Sequence, residues 1–207
     1  APLMFANRKV FVFRAALAQR PWQFRVLLTG QHADLVDDTG LAQTLGPRLE
    51  LLNLPSWNDP EAYVEGAVRA LEARLDDDPL SGVVVQGDTA SALSGALYAR
   101  NRGIPLAHVE AGLRTWDLLD PYPEELYRQE IDSIAKLQLA PTRQAQANLL
   151  RECHPVGPDA IHVTGNTIVD ALRQAGIQPV PPHRRSGRVL VTLHRRESFG
   201  APLRAIL

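Results

Sequence analysis

Short β-rich runs alternate with helical patterns along almost the whole chain, and this alternation narrows the possible folds more than any other feature. Val83-Val84-Val85 is apolar throughout, as in a strand buried on both faces of a parallel sheet. Phe24 to Leu28, Leu106 to Val109, Leu137 to Leu139 and Ile161 to Val163 also read as strands, with Leu49 to Leu52 a weaker one. Lys9 to Phe13 reads as the first strand of the series and Val189 to Leu193 as the last. The clearest helix runs from Pro60 to Leu75. Asp59 suits its N-cap and Pro60 its first position, and Val64, Val68, Leu71 and Leu75 share one face. A helix from about Ser91 to Arg102 is closed by Gly103, and Pro105 prevents its continuation. Glu124 to Ile134, Arg143 to Glu152 (N-cap Thr142) and Ile168 to Gln174 read as further helices. Repeated β-α-β alternation predicts an α/β, Rossmann-like fold: a parallel sheet with helices on both faces.

Residues 178–188 form the one convincing linker, with Pro179, Pro181 and Pro182 beside Arg184, Arg185 and Arg188. Residues 1–177 are expected to be an N-terminal Rossmann-like domain. Residues 189–207 are expected to begin a second one, whose remainder is absent. The formal net charge of −1 offers no global basic field to attract nucleic acid or an anionic membrane. No apolar run approaches the roughly 20 residues that span a bilayer. Asn7, Arg8 and Lys9 interrupt any signal-peptide pattern. Cys153 stands alone, which excludes an intramolecular disulfide and a cysteine metal cluster. These features together predict a cytoplasmic protein.

Open parallel sheets bind ligands beyond the carboxyl ends of their strands. Three polar clusters fall there: Gln86-Gly87-Asp88-Thr89, Glu110 to Arg114, and His194-Arg195-Arg196-Glu197. In His108-Val109-Glu110-Ala111-Gly112-Leu113-Arg114-Thr115, the glycine allows close ligand approach. The arginine offers a fork for phosphate, and the carboxylate can move a proton. A sugar-phosphate enzyme fits this set better than a binding module. Each residue also has a plainer reading. Asp88 reads equally as a helix cap, Glu110 as a solvated loop carboxylate, and Glu124 and Glu125 as first-turn acids. His194 with Arg195 and Arg196 reads as an exposed basic turn, His32 as a local hydrogen-bonding residue, and His108 as structural. No metal-ligand spacing, dinucleotide fingerprint or P-loop occurs, so neither a metal nor a nucleotide cofactor is expected.

The ordered set Thr29-Gly30-Gln31-His32, Gln86 to Thr89, His108 to Thr115, Pro121 to Glu125, Ala140-Pro141-Thr142, Val163 to Thr167 and His194 to Glu197 resembles the non-hydrolysing UDP-N-acetylglucosamine 2-epimerases. The resemblance runs from Phe24 onward. It implies a two-domain fold similar to GT-B glycosyltransferases, with the site in the interdomain cleft. The implied activity is that of an isomerase, interconverting UDP-GlcNAc and UDP-ManNAc without a cofactor. UDP would be eliminated to give a 2-acetamidoglucal and re-added with C2 inverted. By the same resemblance Asp88, Glu110 and Glu124 are acid/base candidates, and His194 contacts the UDP leaving group with Arg195 nearby. Arg114 is taken as substrate-binding, and Gln31 and His32 match a segment that helps form a second UDP-GlcNAc site in bacterial members. A homodimer is implied. The resemblance leaves three alternatives: a GT-B glycosyltransferase, a hydrolysing relative, and an inactive fragment. Two departures stand out. Members carry Gly-Thr-Arg-Pro-Glu after the first strand, whereas Arg14-Ala15-Ala16-Leu17 follows Phe13. Tyr127 stands where asparagine is usual.

Overall fold

The protein is represented by a computed structural model that describes residues 3–6, 23–29, 43, 45–52, 54–55, 59–152, 156–174, 176–184 and 187. Its strands are β1 (Leu3–Ala6), β2 (Phe24–Leu28), β3 (Leu49–Leu51), β4 (Gly82–Gln86), β5 (Leu106–Val109), β6 (Leu137–Ala140) and β7 (Ile161–Val163). They form one sheet in the order β3-β2-β1-β4-β5-β6-β7, with every neighbouring pair parallel. The α/β class expected from the alternation is therefore present. The order reverses between β1 and β4, and such a switch point opens a crevice at the strand ends.

The first strand differs from expectation. Leu3–Ala6 forms the central strand β1, while Lys9 to Phe13 lies outside the described residues, as does Val189 to Leu193. Leu3–Ala6 is short and follows a proline, so the longer apolar run at Lys9 to Phe13 masks it in the sequence.

Five helices are described: α1 (Pro60–Leu75), α2 (Ala90–Asn101), α3 (Glu124–Ile134), α4 (Arg143–Arg151) and α5 (Thr167–Gln174). Their ends obey local chemistry. Asp59 accepts from the Glu61 amide at 3.0 Å with Pro60 in the first turn, and Thr142 accepts from the Ala145 amide at 3.1 Å. At the end of α2, Gly103 takes φ +65°. The amide of Ile104 reaches the Ala99 carbonyl at 2.8 Å and that of Gly103 the Arg100 carbonyl at 3.1 Å, a complete Schellman closure. Connections from β4 through β7 step in one direction, so right-handed crossovers put α2, α3 and α4 on one face. The main core joins Leu27, Val83, Val85 and Leu106 of the sheet to Val64, Ala67 and Leu71 of α1, Leu93, Ala96 and Tyr98 of α2, and Ile131 of α3. Val68, expected on the buried face of α1, is only partly buried at its edge.

The chain divides into two compact units, Ala1–Ala175 and Gly176–Leu207. In the second, the described residues include a 3-10 turn at Pro182–Arg184. No described helix is long and apolar enough to cross a membrane.

A buried charge cluster fixes the segment after β5. The Nδ1 of His108 and the Oδ1 of Asp132 on α3 lie 2.5 Å apart, and both side chains are wholly buried. The Oδ2 of Asp132 accepts from the Gly112 amide at 3.0 Å and pairs with Arg114 at 2.7 Å. Arg114 then grips both oxygens of Glu152, at 2.5 and 2.6 Å, beyond the end of α4. Burial alone would push the Asp132 carboxyl up. The charge and hydrogen bond of His108, followed by those of Arg114, outweigh it and hold the carboxyl below its usual range. A second cluster packs alongside: Ala111, Ala140, Ala145, Leu149 and Ile161. Gly112, at φ +82°, threads between these elements, and a Cβ there would lie 2.3 Å from the Ala145 carbonyl oxygen and 2.7 Å from Leu149 Cγ.

Two stability outcomes follow. Gly112→Ala forces both a left-handed alanine and a backbone collision, and should lower unfolding free energy by about 2 kcal/mol or more in urea titrations. Asp132 has a folded pKa below its unfolded value of about 3.9. Its stabilisation is complete above that value and is lost as pH falls through the folded one. Asp132→Asn should therefore be less stable than wild type at neutral pH by about 3–5 kcal/mol, with a shallower loss of thermal midpoint on acidification. A wild-type midpoint at pH 7 would refute this.

Candidate active site

The end of β4 carries the first set of groups. Gly87 turns the chain at φ +72°, with its amide bonded to the Val109 carbonyl at 2.9 Å. Asp88 follows, and the cap of α2 is its neighbour Thr89, whose hydroxyl accepts from the Ala92 amide at 3.2 Å. Capping therefore does not account for Asp88. It meets Arg128 of α3 instead, whose Nε and Nη2 reach one carboxylate oxygen at 3.1 and 2.5 Å. Gln86, one residue before the turn, donates to the Thr167 hydroxyl at 2.9 Å, joining β4 to the first turn of α5.

The end of β5 carries the second set. Glu110 sits at φ +70°, a left-handed conformation that a non-glycine residue rarely adopts. The amides of Glu110 and Ala111 both point at the Leu139 carbonyl, at 3.1 and 3.2 Å. The turn carries the Glu110 carboxylate over the backbone of Gly87, where its Oε2 lies 3.5 Å from the place a Cβ would take. Local strain of this kind at a carboxylate is a mark of functional sites.

Helix α3 supplies the third set. Glu124 and Glu125 occupy its first turn. Glu125 is fully buried and structural: it accepts from the amides of Thr115 and Trp116 at 3.2 and 3.3 Å, from Gln129, and from Arg128. Glu124 is half-buried at the same helix end. Arg128 thus bridges the carboxylates of Asp88 and Glu125 and locks α3 to the β4 turn. Sequence reasoning missed this residue; its position one turn after Glu124 and Glu125 was the available signal.

Arg114 requires a correction. It was expected to bind substrate, but its side chain is buried and occupied by Asp132 and Glu152. Its guanidinium works inside the fold, and Arg128 is the arginine that meets a site carboxylate. Tyr127, which replaces the usual asparagine, packs in the main core, and burial pushes its phenol up to about 12. At the end of β2, the Thr29 hydroxyl lies 2.6 Å from that of Ser91 in the first turn of α2. Gln31, His32, Cys153, His194, Arg195 and Arg196 lie outside the described residues. Among the described residues, no group of three or more His, Cys, Asp and Glu side chains is placed to hold a metal ion.

Taken together, Asp88 and Glu110 stand at the ends of adjacent strands beside the switch point, with Glu124 at the neighbouring helix end. Several carboxylates on a rigid rim, one cation among them, suit proton transfer on a bound ligand.

Known proteins resemble this chain in sequence and fold. A family model described as UDP-N-acetylglucosamine 2-epimerase matches residues 15–207. The UDP-N-acetylglucosamine 2-epimerase of Bacillus subtilis is 37% identical over 183 residues, covering 86% of this chain and 48% of the relative. A crystal structure of the Methanocaldococcus jannaschii UDP-GlcNAc 2-epimerase in complex with UDP-GlcNAc and UDP matches with a TM-score of 0.72 at 34% identity, over 84% of this chain and 48% of that one. The Neisseria meningitidis enzyme bound to UDP-GlcNAc matches with a TM-score of 0.69 at 29% identity, over 84% and 50%. The chain spans about half the length of the curated relatives it matches. A sheet of this order, carboxylates at these strand ends and a family match over nearly all of its length place this chain in the UDP-N-acetylglucosamine 2-epimerase family.

Proposed function

We propose that the protein of which this chain forms part is a non-hydrolysing UDP-GlcNAc 2-epimerase. The observation that carries the reading is the strained Glu110 carboxylate laid over Gly87, next to an Asp88 held by Arg128. In this reading a base removes the proton from C2 while the bond from C1 to the UDP oxygen breaks, leaving a 2-acetamidoglucal and UDP. The UDP oxygen then re-adds to C1, and an acid returns a proton to the opposite face of C2. Asp88, Glu110 and Glu124 divide the acid and base roles. Family membership and relatives solved with UDP-GlcNAc and UDP support the ligand class.

His194, with Arg195 beside it, would contact the departing UDP, and Gln31 and His32 would contribute to a second UDP-GlcNAc site. Residues 1–177 would form one Rossmann-like domain, 178–188 a linker, and 189–207 the start of a nucleotide-binding domain. A cytoplasmic homodimer completes the reading.

The assay is direct. Purified enzyme given UDP-GlcNAc, with no acceptor and no nicotinamide, should reach a mixture with UDP-ManNAc and leave no net free UDP. Stoichiometric UDP with free ManNAc would indicate hydrolysis, and no turnover without an acceptor would indicate a glycosyltransferase. Asp88→Asn, Glu110→Gln and Glu124→Gln should each lower kcat by about 10² or more. UDP affinity should stay within about threefold of wild type by calorimetry. Near-normal turnover in any one of them removes that residue from the mechanism.

A further inference from the structure

We infer that His108 is a positioning residue for the reaction proposed above, clamping together the two strand-end turns that carry Asp88 and Glu110. The inference rests on that reading of the site. Its Nε2 lies 2.9 Å from the carbonyl oxygen of Gly87, the residue directly before Asp88. Its Nδ1 lies 2.5 Å from Asp132 Oδ1. The other oxygen of the same carboxylate holds the amide of Gly112, two residues after Glu110. A carbonyl and a carboxylate can only accept, so both bonds form when each ring nitrogen carries a proton. One imidazolium–carboxylate pair thus ties the β4 turn to the β5 turn from beneath.

The two turns need such a tie. Gly87, Glu110 and Gly112 all have left-handed backbones, at φ +72°, +70° and +82°. Two of these suit glycine, but at Glu110 the conformation is costly and persists only where neighbours over-determine it. The ladder holds one side of each turn, through Gly87 to Val109 and Glu110 to Leu139. The Gly87 carbonyl and the Gly112 amide, on the other side, are both held by the His108–Asp132 pair. Asn148 fixes the Gly112 carbonyl in turn at 2.9 Å. Loss of the histidine arm would free the peptide that aims Asp88. The effect should fall on kcat and spare KM, because misplacement of a proton-transfer group is felt mainly in the transition state.

Two isosteric substitutions in the complete enzyme separate positioning from bulk stability. His108→Gln places its amide nitrogen where Nε2 stood, keeping the Gly87 arm and dropping Asp132. His108→Asn places it where Nδ1 stood, keeping Asp132 and dropping Gly87. Positioning predicts that His108→Asn loses about tenfold or more in kcat at unchanged KM for UDP-GlcNAc, and that His108→Gln retains the larger share even though its thermal midpoint is the lower. A merely structural role predicts that kcat follows the midpoint, with asparagine the better rescue. That ordering, or wild-type kcat in both folded variants, overturns the inference. If neither variant folds, nitrogen NMR of histidine-labelled wild type decides: protons on both ring nitrogens of His108 support the clamp, and a bare nitrogen on either side overturns it. Wild-type enzyme that makes no UDP-ManNAc would instead refute the proposed reaction.

Discussion

The carboxylate of Asp132 is the interaction on which the functional edge of this domain depends. It is an anion without solvent, and an unpaired buried charge of that kind is too costly for a folded protein to retain. An imidazole, a guanidinium and a backbone amide offset the cost: His108 from β5, Arg114 from the segment after it, and the amide of Gly112 between them. Every partner but Asp132 itself therefore comes from a stretch of seven residues. Helix α3 carries the anion, so the helix and the strand end are fixed by the same contact. Through Glu152, Arg114 extends that contact to the end of α4.

Once α3 is held there, its exposed end has little freedom. Glu125 accepts the amides of Thr115 and Trp116, closing the segment after β5 onto the helix N-terminus. Arg128 lies one turn on and reaches back to Asp88. The two arginines thus split a task that the sequence assigned to one. Arg114 neutralises an anion inside the fold, and Arg128 meets the carboxylate at the end of β4. Both sit among acids, but only Arg128 touches a group that ordinary helix capping leaves over.

What the sequence discloses depends on the range of the interaction. Caps and closures are local, so Asp59 with Pro60, Thr142 and Gly103 are readable from a few residues, as are β2, β7 and α3 with their boundaries. Parallel order follows from alternation and crossover handedness. The role of Arg114 is set by Asp132 and Glu152, one on α3 and the other beyond α4, and no spacing rule links them. Asp88 was ambiguous for a smaller reason. Asp88 and Thr89 are adjacent and both suit an N-cap, and only the hydroxyl contact to Ala92 assigns that role to Thr89. Strand length limits legibility too. Four residues at Leu3–Ala6 give little period-two signal of their own, and their place in the centre of the sheet comes from pairing with β2 and β4.

That placement also changes how the start of the chain compares with its family. Counting from Phe13 made the Gly-Thr-Arg-Pro-Glu loop look lost. With β1 ending at Ala6, the residues that follow in sequence are Asn7-Arg8-Lys9-Val10. Set with Ala6 in the glycine's place, this stretch shares only the arginine, as Arg8, with the motif. The sheet reverses its order between β1 and β4, so the end of β1 and the turn that carries Asp88 border the same crevice.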